Sequence, residues 1–255
     1  MSTGVFRVWQ RNLDVYRQNW KISFMPPLLE PLLYLTAFGI GLSGLIGAVD
    51  YGGAKITYLA FIAPALLAIN IMNNAFFENT YASFVRMYYQ KTFDAMMATP
   101  LSVEEIITGE IAWGATKSVI ATVIMMAILT GFDLIVYPAG LLLIPLAFGA
   151  GFAFGAVGMY FTGIVSHIEL FNLPFFLFIT PMFLFNGTFF PLEGMPMWVR
   201  WVAMSLPLTH LVDLSRGFCY GAWIESMLLS LGYLVVFTAV FYPLALWRMR
   251  RRLIK

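Results

Sequence analysis

Long apolar runs constrain the fold of this chain more than any other feature. Hydrophobic residues make up 60% of its 255 residues and charged residues only 11%, whereas about a quarter of a soluble domain is charged. In hydrocarbon the backbone must satisfy its own hydrogen bonds, and uninterrupted runs of roughly 20 apolar residues do so as helices. Barrel strands would instead alternate in polarity. We therefore predict an all-α integral membrane protein with six transmembrane helices, near residues 24–46, 56–77, 106–130, 139–165, 170–187 and 223–247.

The positions of lysine and arginine predict the orientation. Three segments, namely the N-terminal segment, the loop after the second span and the tail, hold Arg7, Arg11, Arg17, Lys21, Arg86, Lys91, Arg248, Arg250, Arg251, Arg252 and Lys255. The opposite side has only Lys55, Arg200 and Arg216, and Lys117 falls within the third span. Because basic residues collect in cytoplasmic loops, we expect a multi-pass protein of a bacterial inner membrane with both termini in the cytoplasm. The net charge of +2 gives no indication of a nucleic-acid partner.

Residues 1–21 have a helical periodicity of their own. One face carries Phe6, Trp9, Leu13, Tyr16 and Trp20. Such a segment is expected to lie along the cytoplasmic interface, with aromatic rings at headgroup depth and arginines toward anionic lipid. The pattern leaves open whether the helix is a topology anchor or has a mechanical role. Pro26 and Pro27 are expected to end this helix or to begin the next one.

The cytoplasmic segment 78–105 is much longer than a turn requires. Thr99 and Pro100 mark the end of a short helix, and Ser102 with Glu105 forms a predicted capping box at the start of the third span. The short helix is predicted to expose an aromatic and methionine face, made of Tyr88, Tyr89, Phe93, Met96 and Met97. Such residues favour a cytoplasmic partner. The alternative is packing on headgroups or on the protein's own bundle.

Two spans contain patterned polar or small residues. Asn70, Asn74 and Glu78 follow one another on one face of the second span. They are a candidate substrate path, although interhelical hydrogen bonding is the favoured interpretation. In the fourth span Gly151 and Gly155 continue a small-residue row from Ala147, which indicates close packing either inside the bundle or between subunits.

Segment 187–221 is too broken by proline to cross the membrane, yet too apolar for an open loop. We predict a re-entrant helical hairpin at the outer face, held at the interface by Phe189, Phe190 and Trp198. His210 and Asp213 lie three residues apart on a predicted helix, a spacing that allows the two side chains to pair. No serine or cysteine motif accompanies them, which favours a structural role over catalysis.

Motifs for chemistry are missing from the sequence. A P-loop requires glycine before its lysine, and no lysine in the sequence follows a glycine. Cys219 and the two histidines lack a metal-ligand spacing. We therefore expect no catalytic residues, no metal site and no cofactor bound by this chain.

Five stretches resemble the ABC-2 type permeases, and within them the permeases that export nodulation factors, which are lipo-chitooligosaccharides. They are FENTYASFVRM, ATPLSVEEIITGEIAWGATK, ITPMFLFNGTFFPLEGMP, LPLTHLVDLSRG and RRRLIK. The resemblance implies one permease domain over residues 1–255, a homodimer within membrane lipid, and a separate cytoplasmic ATPase that uses ATP and Mg. It also implies an ATPase-coupling surface at Arg86, Tyr89, Gln90, Phe93, Asp94, Met97 and Thr99. The outer gate would include Phe189, Phe190, Trp198, His210 and Asp213.

Three hypotheses for function follow. The first is a permease subunit of an ATP-driven exporter that moves a lipid-linked or amphipathic substrate, such as a lipo-oligosaccharide, outward. The second is an ion-coupled carrier or channel that needs no ATPase, for which the long cytoplasmic segment is superfluous. The third is a membrane-embedded enzyme acting on lipid-linked sugar, which the absence of a convergent acid, base or metal cluster disfavours.

Overall fold

The computed structural model describes residues 3–42, 47–51, 54–222 and 226–254. Its helices are α1 (Thr3–Gln18), α2 (Trp20–Thr36), α3 (Tyr58–Phe77), α4 (Thr92–Met97), α5 (Val103–Gly131), α6 (Leu143–Ile164), α7 (Ile168–Phe185), α8 (Met197–Met204), α9 (Pro207–Tyr220) and α10 (Ser226–Leu253). A π-helical turn at Ala37–Leu42 extends α2. Two more, at Glu78–Ala82 and Val85–Tyr89, extend α3 into one helical run, Tyr58–Tyr89.

Five helical runs in the described part of the chain are long and apolar enough to cross a membrane. They are Tyr58–Tyr89, Val103–Gly131, Ala139–Ile164, Ile168–Phe185 and Ser226–Leu253. These runs match the second to sixth predicted spans. The first predicted span contains α2 and its π-helical turn, which are not among the five, and residues 43–46 lie outside the described residues. A sixth crossing therefore stays a prediction.

The break between α1 and α2 lies earlier than predicted. The first helix ends at Gln18 and α2 begins at Trp20, so Pro26 and Pro27 lie inside a helix rather than at its end. The expectation that these prolines mark a helix boundary is wrong. Prolines inside membrane helices are tolerated because neighbouring groups satisfy the freed carbonyls.

A short antiparallel hairpin interrupts the helical fold. Its strands are β1 (Ala48–Tyr51) and β2 (Ala54–Thr57), with Val49 opposite Ile56. The prediction of an all-α protein is therefore wrong in this one element. The sequence did contain a signal, since two consecutive glycines between short runs with β-branched residues favour a hairpin.

The small residues of α6 pack inside the bundle. A Cβ added at Gly155 would lie 2.8 Å from the Asn79 amide nitrogen, and one at Gly158 would lie 2.9 Å from the Phe76 carbonyl oxygen. Gly151 is equally close to α5, where an added Cβ would meet Ser118 at 3.0 Å. Of the two packing alternatives left open by the sequence, these glycines thus serve contact within one chain.

The segments rich in basic residues meet at one end of the bundle. The Asn12 side chain of α1 bonds to α5, and Arg250 near the end of α10 lies 3.3 Å from Glu104 at the start of α5. Arg252 donates to the carbonyl oxygen of Val165, just after α6. The β-hairpin and α9 meet at the other end, where the Tyr51 and Tyr220 rings lie 6.3 Å apart. The N-terminal helix and the basic tail thus lie at the same end of the bundle, and the location of that end in the cytoplasm stays a prediction.

Candidate functional site

A network of four buried or half-buried charged side chains occupies the basic end of the bundle. Arg86 lies between two carboxylates, with Nη1 2.7 Å from Glu78 Oε1 and Nη2 2.6 Å from Glu110 Oε2. Lys117 Nζ lies 2.8 Å from the other Glu78 oxygen. Two acids thus face two bases. Because charges in this position are costly without partners, the network fixes how these helices pack.

Helix periodicity places these side chains opposite one another. Glu78 and Arg86 are eight residues apart on the run Tyr58–Tyr89, and Glu110 and Lys117 are seven apart on α5. Spacings of seven and eight bring two side chains to the same face of a helix. Trp113 lies on that face too and donates its indole N–H to Glu78 across 3.1 Å.

Helix α1 joins the network through its buried face. Asn12 donates from Nδ2 to Glu110 Oε1 across 2.8 Å, and Trp9 donates to the Thr116 hydroxyl across 2.9 Å. Val5 and Val8 are buried. The helix therefore packs tightly on α5 rather than only on lipid headgroups. The predicted aromatic face is divided, because Trp9 turns toward α5 whereas Phe6 stays exposed.

The predicted coupling residues fall into two groups. Arg86 points inward to the carboxylates, and the Phe93 side chain is fully buried. Met96 is also buried, so the prediction that Phe93 and Met96 form an exposed face is wrong: α4 uses them to pack on the bundle. The remaining predicted residues are at least partly accessible, namely Tyr89, Gln90, Asp94, Met97 and Thr99.

The helix boundaries around this segment agree with the sequence. A short helix, α4, precedes Pro100 as predicted. The capping box is confirmed: Glu105 N–H donates to the Ser102 hydroxyl across 3.2 Å, and the Ser102 N–H donates to Glu105 Oε2 across 3.0 Å. It fixes the point at which α5 begins.

The three polar residues Asn70, Asn74 and Glu78 of the second span do not share one kind of hydrogen-bond partner. Asn74 donates from its amide to the backbone and side-chain oxygens of Asn70, 2.9 and 3.0 Å away within the same helix. The favoured prediction of interhelical bonding is thus wrong for this pair. It holds for Glu78, which bonds to Trp113 and Lys117 of α5.

Segment 187–221 contains two short helices, α8 and α9. His210 Nε2 lies 3.0 Å from the carbonyl oxygen of Met204, and Nδ1 lies 3.1 Å from the Ser230 hydroxyl. Because both ring nitrogens are engaged there, the predicted pairing of His210 with Asp213 is wrong. Burial raises the pKa of Asp213 above its usual range, although the Arg216 guanidinium opposes this shift.

The aromatic residues assigned to the outer gate differ in their surroundings. Phe190 and Trp198 are exposed, whereas the Phe189 ring packs 5.2 Å from the Phe183 ring of α7. Arg216, which sequence reasoning left unassigned, anchors this segment by donating to the Gly187 carbonyl oxygen across 2.8 Å. Gly187 has a φ of +71°, a conformation that favours glycine.

Sequence reasoning also missed Glu110 and Asn12. Glu110 lies in an otherwise apolar stretch of α5, and an acid at membrane depth was the available signal. Within the described residues no three histidine, cysteine, aspartate or glutamate side chains are grouped to hold a metal ion.

Comparison with known proteins decides the family. Residues 3–220 match the ABC-2 type transporter family. The chain belongs to that family. It is 33% identical over 250 residues to Nodulation protein J of Rhizobium leguminosarum bv. viciae, covering 97% of this chain and 94% of the relative. Nodulation protein J of Rhizobium leguminosarum bv. trifolii is 32% identical over 254 residues, covering 100% and 95%.

A more distant relative belongs to a different bacterium. The Inner membrane transport permease YadH of Escherichia coli (strain K12) is 24% identical over 251 residues, covering 96% of this chain and 93% of the relative. These relatives confirm the resemblance to ABC-2 type permeases. The chain is thus a transport permease that crosses a membrane several times.

Proposed function

We propose that this ABC-2 permease is the membrane half of an ATP-driven exporter in a bacterial inner membrane, with both termini in the cytoplasm. A separate ABC ATPase would bind ATP and Mg, and two copies of the permease would enclose the substrate path. The substrate would be lipid-linked or amphipathic, of the lipo-oligosaccharide kind. Family membership supports an ATPase partner in general, and the location of the basic residues at one end of the bundle supports the orientation.

The buried charge network is the observation that carries this proposal. Arg86 lies near the end of the run Tyr58–Tyr89, which leads into the exposed segment around α4, and it pairs with Glu110 of a second span, α5. Asn12 brings the interfacial helix α1 to the same carboxylate. A push on the segment after Arg86 would therefore reach α5 through an ion pair that is costly to separate. A push on α1 would reach it through the hydrogen bond from Asn12.

A surface for the ATPase lies beside this network. Residues Tyr89, Gln90, Asp94 and Thr99 are exposed. A cavity of about 350 Å³ lies between the start of α1 and the turn at Pro100, with Arg7 and Leu101 in its wall. Thr99 belongs both to the exposed residues and to the wall of this cavity. The mixed polar and apolar groups of the wall suit a transient protein partner.

Crosslinking tests the proposed ATPase contact. The native Cys219 is buried and would be replaced by serine. A cysteine at Asp94 should crosslink efficiently to a co-expressed ABC ATPase. A cysteine at Lys55, an exposed position on β2, is the matched control and should give no crosslink, because it lies at the other end of the bundle.

Two outcomes would contradict the coupling assignment. One is failure at Gln90, Asp94 and Thr99 alike in a complex that still transports. The other is a crosslink from Lys55 as strong as that from Asp94. Transport by a purified complex that needs no ATP would favour the ion-coupled carrier instead.

A further inference from the structure

A second polar feature lies next to the charge network. A cavity of about 470 Å³ opens where α1 is joined to α2 and where the helical run Tyr58–Tyr89 ends. Asn19 and Ser23 line it on the α1–α2 side, and Gln90 lines it on the other. At this volume the cavity is large enough for a lipid headgroup.

The charged part of the wall is predominantly basic. Arg11, Arg86 and Lys117 line the cavity, whereas Glu78 is the single acid in its lining. Glu110 is fully buried behind Arg86 and does not line the space. The two bonds to Glu78 engage Arg86 and Lys117, which leaves Arg11 as the positive charge in excess.

In the described part of the chain Arg11 has no carboxylate within ion-pair distance of its guanidinium. Its side chain donates instead to the amide oxygen of Asn12 across 3.0 Å. Partial burial lowers its pKa, although Glu110 opposes that shift. A half-buried guanidinium without a counter-ion is well suited to an anionic ligand, because charge-assisted hydrogen bonds to phosphate are strong.

The wall also carries apolar groups. Val15 from α1 and Val85 from the helical run line the cavity, together with Tyr81 and Ala82. A cavity lined by both basic and apolar groups suits a molecule that carries both a charged headgroup and an acyl chain. It is less suited to a small, fully hydrated anion.

We propose that this cavity binds the phosphate-bearing headgroup of an amphiphile with a net negative charge, and that Arg11 is the residue that balances this charge. The ligand is an anionic lipid of the cytoplasmic leaflet. This inference rests on the proposed function in one respect, namely that the cavity opens on the cytoplasmic side of the membrane. Lipid binding is measured without ATPase or nucleotide. A failure of ATPase coupling therefore does not change this result, and a failure of lipid binding does not count against ATPase coupling.

The test uses the purified full-length chain and native mass spectrometry. The probes are phosphatidylglycerol, whose headgroup has a net negative charge, and phosphatidylcholine with the same acyl chains, whose headgroup has none. The parent protein should bind phosphatidylglycerol preferentially. Arg11→Gln should weaken that binding about tenfold, which corresponds to about 1.4 kcal/mol, because it removes a charge-assisted hydrogen bond to the headgroup.

Two further variants separate the site from general surface charge. Arg17→Gln removes the same charge from the same helix at an exposed position, 4.0 Å from Asp14, and should leave binding within twofold. Val15→Trp keeps every charge but fills the cavity, so it should weaken binding as Arg11→Gln does. Displacement of phosphatidylglycerol by inorganic diphosphate would show that the phosphate alone is recognised. If diphosphate did not displace the lipid, the acyl chain would be required for binding.

Three results would overturn the proposal. They are equal losses in Arg11→Gln and Arg17→Gln, equal binding of the two lipids by the parent, and undiminished binding in Val15→Trp. Each would mean that lipid is held by the general surface rather than by this cavity.

Discussion

Arg86→Gln should destabilise the folded permease by about 3–5 kcal/mol, because it removes one partner from two buried ion pairs. Glu110 would then keep only the neutral donors Asn12 and Ser83. Glu78 would keep Lys117 and Trp113 but lose the guanidinium that lies 2.7 Å away. Thermal unfolding of the purified chain in detergent measures this loss, together with the yield of folded protein from membranes.

Lys91→Gln is the control for the loss of one positive charge. The Lys91 ammonium lies 3.9 Å from Asp94, and 66% of its side chain is exposed. Exposed pairs of this kind contribute about 0–1 kcal/mol, so stability should barely change. Equal and small effects of Arg86→Gln and Lys91→Gln would show that the buried network does not hold the helices together.

Gly114→Ala should destabilise the bundle by about 1–3 kcal/mol through overpacking. A Cβ at this position of α5 would lie 2.0 Å from the Asn79 amide nitrogen. That nitrogen is held in place by a 2.9 Å bond to the Ala75 carbonyl oxygen, so the side chain cannot move aside without breaking the bond. Unfolding temperature and detergent-solubilised yield are the measurements.

Gly149→Ala is the matched glycine substitution. Gly149 lies in α6, and nothing lies within 4 Å of the Cβ that alanine would add. Alanine in a helix interior is favoured over glycine by roughly 0.5–1 kcal/mol, so this variant should be neutral or more stable. If Gly114→Ala unfolded at the same temperature as Gly149→Ala, the close packing of α3 on α5 would be in doubt.

Local signals allowed much of the fold to be predicted. Apolar runs located five helical spans, and Ser102 with Glu105 located the start of α5, because both signals involve residues close in sequence. Periodicity was a poorer guide to which faces of α1 and α4 are buried. It groups residues by face but does not say which face meets a neighbouring helix, and for that reason Phe93 is buried despite its predicted exposure.

The candidate site was less accessible to sequence reasoning. Its bonds join residues far apart in the chain: Arg86 to Glu110, 24 residues on, and Asn12 to Glu110, 98 residues on. Residues so far apart in the sequence do not form a local pattern from which the contact could be predicted. His210 shows the opposite error, since the nearby Asp213 suggested a pair whereas Ser230, 20 residues away, forms the bond.

On the proposed mechanism, the network couples the ATPase to the membrane spans. The variant Arg86→Met with Glu110→Met removes both partners of one pair, which costs far less than removing a single partner. Glu78 keeps its 2.8 Å bond to Lys117. The folded double variant would thus retain the spans but lose the link to Asn12 and to the segment around α4.

The decisive measurement follows ATP hydrolysis and the appearance of substrate outside the membrane on one preparation. For this the double variant is reconstituted in lipid together with the ATPase. We expect hydrolysis to stay within about twofold of the parent complex while transport per ATP falls at least tenfold, which corresponds to about 1.4 kcal/mol of lost coupling. Parental transport per ATP in the well-folded double variant would contradict the claim that the Arg86–Glu110 pair transmits the motion.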